Sequence, residues 1–214
     1  FPTCSTFKAP LAGFVLARID AGTERLDRAL PVSRTDLVAN SPFAATRVGG
    51  IATVEELCVA ILLSSDNAAA NLLLGTLGGP AGLTAWLRLL GDRATRLDRF
   101  EPALNSAVAG DPRDTTTPDA MLRTVGRLTL GRALSPASRA RLVGWMTAAT
   151  TGTHRLRAGL PAGWQVADRT GAGENGSDAV VGLLRPPRRA PLLVASYLTQ
   201  SPLPLTATNA IHAD

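Results

Sequence analysis

Residues 4–8 read Cys4-Ser5-Thr6-Phe7-Lys8, and they include the only lysine of a 214-residue chain that has 22 lysine and arginine residues. Arginine stays protonated under ordinary conditions, whereas a buried lysine can lose its proton and act as a base. Ser5 precedes Lys8 by three residues, so a helix places both side chains on one face. This arrangement can activate a serine nucleophile. An accidental serine at this spacing has a chance of roughly one in fifteen, so the pair alone establishes no function.

The composition limits the class of protein. With 214 residues and 45% hydrophobic content, the chain suits one large domain or two closely packed halves. No apolar stretch reaches the length of a membrane span, and we expect that any export peptide has been removed or is not shown. The two cysteines and two histidines lack metal-ligand spacing, which argues against a zinc mechanism and a histidine-dependent triad. We expect no cofactor.

The net charge of +5 raises the question of nucleic-acid binding. The arginines are spread along the chain, and few aromatic residues are available to stack on bases. The densest basic cluster, residues 185–189, lies between two apolar runs and is typical of a solvated hairpin loop. These observations argue against a nucleic-acid partner.

Hydrophobic periodicity predicts an α+β fold in which a mostly helical part packs on an antiparallel sheet. Helical patterns cover residues 5–19, 53–63, 68–77, 83–90, 118–130 and 136–149. A long stretch without periodicity, residues 91–118, separates them, and such loops in compact domains are usually functional or disordered. Three strand-like runs follow at residues 165–172, 179–184 and 192–199, separated by short turns, which predicts a meander. Residues 202–213 resemble the start of a helix.

Three further groups of polar residues join the Ser5/Lys8 pair. The first group lies between two buried helices, where polar side chains need partners. The second consists of two residues that are four positions apart in the long loop. The third opens the first strand, where a glycine allows a ligand to approach closely. These groups are Ser65-Asp66-Asn67, Glu101 with Asn105, and Arg169-Thr170-Gly171. Each also has a structural explanation as a buried cap, a solvated loop pair or an ordinary strand edge.

In this order the motifs resemble those of the class A serine β-lactamases, whose signatures are S-x-x-K, S-D-N and K-T-G. The likeness covers essentially the whole chain. It includes Ser5–Lys8, Ser64–Asn71, Gly78-Gly79-Pro80, Thr95–Pro102, Arg113–Thr116, Leu160–Trp164 and Asp168–Gly173. The resemblance implies one catalytic unit, formed by a mostly helical part at residues 1–154 and a sheet part with the start of a C-terminal helix at residues 155–214.

The resemblance also implies a role for each matching residue. Ser5 is the expected nucleophile, with Lys8, Ser65 and Glu101 transferring protons, and the backbone N–H groups of Ser5 and Ala172 are the expected oxyanion hole. Whether Lys8 or Glu101 takes the serine proton is disputed within the family. The expected substrate-binding residues are Asn67, Asn105, Arg169, Thr170, Gly171 and Arg155. Arg99 and Asp114 match the pair that closes the base of the omega-type loop, and the Glu101–Pro102 bond is expected to be cis.

The chain departs from the family pattern at several positions. Arg169 replaces the usual lysine of the third motif, as in carbenicillin-hydrolysing members, and keeps only its charge. Asp178 stands where many members have a carboxylate-binding arginine, so we assign that role to Arg155. The alternative is that Arg155 is an ordinary surface arginine. Asn40 replaces an entrance aromatic. The two positions that match disulfide partners of Cys4 and Cys58 are Gly173 and Ala12, so we expect two free thiols.

The family also places a helix and two strands ahead of the nucleophile, and its last helix is longer. Without those strands the run at residues 192–199 would have an open edge, a recognised aggregation hazard. We therefore expect an incomplete chain rather than one completed by a partner, and a monomer when the full-length chain is present.

These expectations favour a secreted enzyme that hydrolyses the β-lactam amide of penicillins, and of some cephalosporins, through an acyl-serine, giving antibiotic resistance. The expected partner is thus a small β-lactam, with no nucleic acid and no membrane span. Two alternatives remain open. A penicillin-binding D-Ala-D-Ala peptidase shares the first three motifs without needing Glu101 and Asn105. A non-hydrolytic β-lactam sensor acylates and stays acylated.

Overall fold

A computed structural model describes all 214 residues and contains eight α-helices and five β-strands. In chain order they are α1 (Lys8–Asp20), β1 (Ala29–Pro31), β2 (Ile51–Thr53), α2 (Val54–Leu63), α3 (Asn67–Thr76), α4 (Gly79–Leu89), α5 (Pro118–Thr129), α6 (Pro136–Thr147), α7 (Leu156–Gly159), β3 (Gln165–Gly173), β4 (Ser177–Arg185), β5 (Leu192–Leu198) and α8 (Leu205–Ala213). None of these helices is long and apolar enough to cross a membrane. The predicted α+β class, with helices packed on an antiparallel sheet, is confirmed.

The Cys4–Lys8 stretch forms the start of the first helical segment. A 3-10 turn covers Cys4–Phe7 and continues directly into α1, so Ser5 and Lys8 lie one turn apart as predicted. All the side chains of this turn are buried, and the turn packs against β3 and β4. The pair therefore lies where helices and sheet meet.

Helix α2 begins where its sequence predicts. The Thr53 hydroxyl accepts from the Glu56 backbone N–H, and the Glu56 carboxylate accepts from the Thr53 N–H, which is a complete capping box. The apolar side chains that follow are mostly buried and join a single cluster of 37 core residues extending into the sheet. This rigid central helix ends at Ser64, immediately before the Ser-Asp-Asn motif.

The large sheet is the predicted meander in the order β3-β4-β5, with antiparallel neighbours. Its register pairs Thr170 with Val180 and Ala172 with Asp178. Helix α6 packs against β3, and α5 packs against β4 and β5. β3 carries the Arg-Thr-Gly motif, so the sheet presents that motif to the turn that contains Ser5.

Two features were missed by the sequence analysis. β1 and β2 form a separate two-stranded sheet, in which Ala29 pairs with Thr53 and Pro31 with Ile51. α7 is a single short turn of four residues before the sheet. The long loop predicted at residues 91–118 ends where α5 begins at Pro118, and before that point its only helical element is a 3-10 turn at Ala103–Asn105, so most of it is irregular as predicted.

Candidate active site

Ser5, Lys8 and Ser65 form a triangle of hydrogen bonds. The Lys8 Nζ donates to Ser5 Oγ at 3.1 Å and to Ser65 Oγ at 3.1 Å, and Ser65 Oγ donates to Ser5 Oγ at 3.0 Å. Ser5 and Lys8 meet because they lie one helical turn apart. Ser65 comes from the junction of α2 and α3, 60 residues away. The amine can thus exchange a proton with either hydroxyl.

The Lys8 amine is fully buried and surrounded by oxygen atoms. Besides the two hydroxyls it contacts the Ser65 carbonyl at 3.0 Å, Asn67 Oδ1 at 2.5 Å and Glu101 Oε1 at 3.0 Å. Burial lowers the pKa of Lys8 from 10.5 to about 8, although the Glu101 carboxylate acts in the opposite direction. The neutral form of this amine, which can accept a proton, is therefore more accessible near neutral pH than that of an ordinary lysine.

Ser65 has a left-handed backbone conformation, with φ of +63°. Such a conformation costs roughly 1–3 kcal/mol for a residue with a side chain, so its surroundings must stabilise it. The Ser65 carbonyl accepts from both Lys8 Nζ and the Asn40 side-chain amide, at 3.0 and 2.9 Å. Asp66 is a buried cap that accepts from the N–H groups of Ala69, Phe43 and Ala44. The motif is thereby fixed on both sides.

The long loop brings Glu101 and Asn105 to the same site. The Asn105 amide donates to Glu101 Oε2 at 2.5 Å. Glu101 Oε1 and Asn105 Oδ1 are both buried and accept no well-aligned hydrogen bond within the protein, although Glu101 Oε1 lies 3.0 Å from Lys8 Nζ. The Glu101 backbone is held from α3, because its N–H donates to Asn71 Oδ1 and its carbonyl accepts from Asn71 Nδ2, both at 2.9 Å.

The base of this loop is closed by a buried carboxylate. Asp114 accepts from Arg99 Nε at 2.6 Å and from the backbone N–H groups of Asp98 and Arg99. The side chain of Asp98 in turn accepts from the Asp114 N–H. The Glu101–Pro102 peptide bond is cis, as expected. The Arg99–Asp114 contact inferred from the sequence resemblance is present.

Strand β3 lies directly against the 3-10 turn that contains Ser5. A Cβ placed on Gly171 would lie 3.0 Å from Cys4 Cβ and 3.1 Å from Ser5 N, so a side chain there would push the strand away. The buried Arg169 donates from Nε to the Ser5 carbonyl at 3.1 Å and from Nη1 to the Leu62 carbonyl at 3.3 Å. Burial lowers the pKa of Arg169 to about 10, which leaves it charged at neutral pH.

Arg155 is buried and bonded on several sides. It donates from Nη2 to Asp178 Oδ1, from Nη1 to the carbonyls of Gly171 and Ala179, and from Nε to Asn209 Oδ1, at 2.6–2.8 Å. Four of its five N–H donors are used, which leaves one on Nη2. Asp178 thus holds Arg155 from the neighbouring strand, a contact that sequence reasoning missed.

A cavity of about 270 Å³ joins these groups. It is lined by Ser5, Asn40, Ser65, Asn67, Asn105, Thr151, Arg155, Arg169, Thr170, Gly171 and Ala172. Lys8 and Glu101 lie beneath this lining. The wall contains two arginines and no carboxylate, so it suits an anionic ligand. A larger cavity of about 730 Å³ near Arg18 and Arg28 contains no nucleophile with a partnered base.

The comparisons with known proteins agree with this geometry. A sequence model of the "Beta-lactamase enzyme family" matches residues 1–213. The solved structure of an ancestral class A β-lactamase (GNCA) is 57% identical with a TM-score of 0.98, over 100% of this chain and 82% of that one. The chain belongs to the class A β-lactamases.

Other class A β-lactamases are equally similar in structure. That of the last common ancestor of Gram-negative bacteria (GNCA4) is 57% identical over 100% of this chain and 81% of its own, with a TM-score of 0.98. PenP from Rhodopseudomonas palustris, assigned to the same class, is 54% identical over 100% and 82%, with a TM-score of 0.98. This β-lactamase is therefore an enzyme, and its general activity is β-lactam hydrolysis.

In the structure of this β-lactamase, all the predicted site residues except Lys8 and Glu101 line one cavity, and these two bond to residues that line it. Asn71, Asp178 and Thr151 contact the site and had been given no role. Asn71 lay within a quoted motif, and its position four residues after Asn67 on α3 was a usable signal. The contact of Asp178 with Arg155 depends on strand register, which leaves no signal in the sequence. Cys4 and Cys58 are free and buried.

Proposed function

We propose that the protein hydrolyses penicillins, and some cephalosporins, through an acyl-enzyme on Ser5. The observation that carries this proposal is the position of the Glu101 carboxylate, 3.0 Å from Lys8 Nζ and bonded to Asn105 at 2.5 Å. A peptidase or a sensor has no need of a carboxylate and amide held together beside the nucleophile. A hydrolase needs them to activate water.

In the first step the Ser5 oxygen attacks the lactam carbonyl and gives up its proton. Lys8, whose Nζ lies 3.1 Å from Ser5 Oγ, can accept that proton directly, or Glu101 can accept it through water. As the ring opens, Ser65 donates its hydroxyl hydrogen to the lactam nitrogen and recovers one from Lys8. The C–N bond breaks, the Ser5–acyl bond forms, and the proton total is conserved.

The developing oxyanion is stabilised by the backbone N–H groups of Ser5 and Ala172. The close approach of Gly171 to Ser5 N supports this assignment, because it places β3 beside the nucleophile. Removing one such donor typically costs about 10²–10³ in rate. Ala172 also lines the cavity that would hold the substrate.

Glu101 and Asn105 then hold the water that attacks the acyl-enzyme. Their buried Oε1 and Oδ1 atoms accept no well-aligned hydrogen bond in the protein, and both can accept from one water molecule. Glu101 takes the proton of this water as the general base. The water oxygen is retained in the new carboxylic acid, the acyl–oxygen bond to Ser5 breaks, and the Ser5 oxygen regains a proton from the protonated Glu101. The acid then ionises to the carboxylate.

The substrate carboxylate binds beside the arginine form of the third motif. Arg169 and Thr170 face the cavity, and we assign Arg155 a supporting role through its free N–H donor. Asn67 lines the same cavity and donates to the Ala39 carbonyl, which leaves one amide hydrogen for the side-chain amide of the substrate. Arg169 also suggests a preference similar to that of the carbenicillin-hydrolysing members.

Turnover of a chromogenic β-lactam separates the hydrolase from its alternatives. Wild-type protein should turn over many equivalents, whereas Glu101→Ala should stop as an acyl-enzyme visible by mass. Glu174→Ala removes an exposed glutamate near the same loop and should behave as wild type. A single stoichiometric burst by the wild type would overturn the proposal in favour of a sensor, and slow turnover of D-Ala-D-Ala peptides would favour a peptidase.

We also propose that the protein is exported, confers β-lactam resistance and acts as a monomer when the full-length chain is present, with residues 1–154 and 155–214 forming one catalytic unit. Both parts contribute side chains to the cavity, which supports the last point. Expression with an export signal should raise the penicillin tolerance of a bacterial host, and the Ser5→Ala protein should not. Equal tolerance for the two would contradict a catalytic role in resistance.

A further inference from the structure

Thr151, in the segment between α6 and α7, touches two residues of the Arg-Thr-Gly motif. Its Oγ1 accepts from Arg169 Nη1 at 3.1 Å and from Thr170 Oγ1 at 3.1 Å. A threonine hydroxyl has two acceptor positions and one donor hydrogen. Both acceptor positions are therefore occupied, and the hydrogen of Thr151 has no acceptor among the protein atoms.

This hydroxyl faces the cavity that contains the nucleophile. Thr151 lines that cavity with Ser5, Ser65 and Thr170, and no carboxylate of the protein lines it. Arg169 Nη2 also makes no hydrogen bond within the protein, and Arg155 keeps one free N–H. The unused donors at this end of the cavity therefore all favour an anion.

The segment around Thr151 is held firmly in place. The N–H and the hydroxyl of Thr150 both donate to the Leu63 carbonyl, at 3.0 and 2.9 Å, and the Gly152 carbonyl accepts from the Arg155 N–H at 3.0 Å. Gly152 has φ of +87°, and a Cβ there would lie 2.5 Å from Thr170 Cγ2. Only glycine permits this approach to β3, so the position of Thr151 is specified by its neighbours.

We propose that Thr151 is a substrate-binding residue, which donates its hydroxyl hydrogen to the carboxylate of the β-lactam substrate. The inference rests on the proposed function and deepens it by naming a donor outside the three motifs. Arg169 and Thr170 direct that hydrogen by filling both acceptor positions. The same contact stabilises the side chain of Arg169, because its planar guanidinium donates from Nη1 to the Thr151 hydroxyl beside it.

The test compares Thr151→Val, which keeps the shape but removes the hydroxyl, with Thr151→Ser, which keeps the hydroxyl. The readout is the second-order rate constant for acylation of Ser5, measured by rapid quenching and mass, with a free-acid penicillin and its methyl ester. For the free acid the valine variant should be about tenfold slower, the loss of one hydrogen bond to a charged group. The serine variant should stay within about threefold of wild type, and the ester should not distinguish wild type from valine.

The outcomes separate this inference from the proposed function. An unchanged rate for the valine variant with the free acid, or an equal loss with acid and ester, would overturn the role of Thr151. A wild type that is acylated without turnover would overturn hydrolysis alone, because the acylation rates still test Thr151. A wild type that is not acylated at all would overturn both. A thermal melt of the valine variant checks that it is folded.

Discussion

Lys8 and Glu101 affect each other's chemistry through one buried contact. Burial lowers the pKa of the Lys8 amine to about 8, and the Glu101 carboxylate counteracts part of that effect. Removing the carboxylate should therefore lower this pKa further. Because the amine accepts a proton only when it is neutral, a lower pKa makes it an available base at lower pH.

The pH profile of acylation tests this coupling. In Glu101→Ala, Lys8 is the remaining base bonded to Ser5, so the acylation rate should rise with pH and level off below pH 8. Each pKa unit corresponds to about 1.4 kcal/mol of lost attraction. The matched variant Glu101→Ala/Lys8→Arg should show no such inflection. An inflection at or above pH 8 in the single variant would contradict the role of Glu101 in raising the lysine pKa.

The ion pair of Arg155 with Asp178 is predicted to stabilise the fold, and Arg155 is also predicted to bind the substrate carboxylate. Arg155→Ala leaves the buried Asp178 carboxylate with Thr208 as its side-chain partner, which should destabilise the fold by roughly 3–5 kcal/mol. Arg155→Ala/Asp178→Asn should recover most of this loss in a thermal melt, since no unpaired charge remains. Both variants should raise KM for carboxylate-bearing substrates, by a factor that corresponds to a loss of about 1–2 kcal/mol of binding free energy. A KM that recovers together with the melting temperature would mean that Arg155 is only structural.

At the scale of elements, α3 controls the loop that carries Glu101. Asn71 on α3 bonds both the N–H and the carbonyl of Glu101. Asn71→Ala should leave both groups without these partners and loosen the position of the carboxylate. Because the proposed mechanism requires Glu101 to activate water but lets Lys8 share the acylation step, deacylation should slow more than acylation.

Pre-steady-state kinetics would measure the two steps separately. For Asn71→Ala we expect accumulation of acyl-enzyme and a loss of stability of about 1–3 kcal/mol, the usual result of unsatisfied buried groups. Arg96→Ala is the control, since it breaks an exposed ion pair with Asp98 in the same loop. Equal slowing of both steps in Asn71→Ala would contradict the specific role of this anchor.

The elements show which parts of the fold a sequence can predict. Thr53 and Glu56 marked the start of α2 because a capping box is a local signal. Helix α4 begins at Gly79, earlier than predicted, because Pro80 is tolerated in a first turn. β1 and β2 have three residues each, too few to show periodicity.

The same distinction applies to the site. Ser5 and Lys8 could be paired from spacing, since one helical turn fixes their distance. The contacts of Asp178 with Arg155 and of Thr151 with Arg169 join different elements, and they depend on strand register and on the path of a loop. Such contacts are set by tertiary structure and leave no periodic pattern in the sequence.

At the scale of the molecule, β5 forms an edge of the large sheet within residues 1–214. β5 pairs only with β4, so the backbone groups on its other side have no partner strand. Leu192 at its start is 42% exposed. An open, apolar strand edge can pair with another copy, and a lysine on the edge opposes that pairing.

We therefore predict that the 214-residue chain self-associates through β5. Sedimentation at roughly 100 µM, within the range where exposed edges associate, should show dimers or larger species of the wild type. Leu192→Lys should shift the population toward monomer, because a second chain would have to desolvate the new charge. Leu89→Lys is the matched control, since Leu89 lies on α4 away from the sheet and is 86% exposed. If both variants reduce association equally, the cause is general surface hydrophobicity, and a monomeric wild type would contradict pairing at this edge.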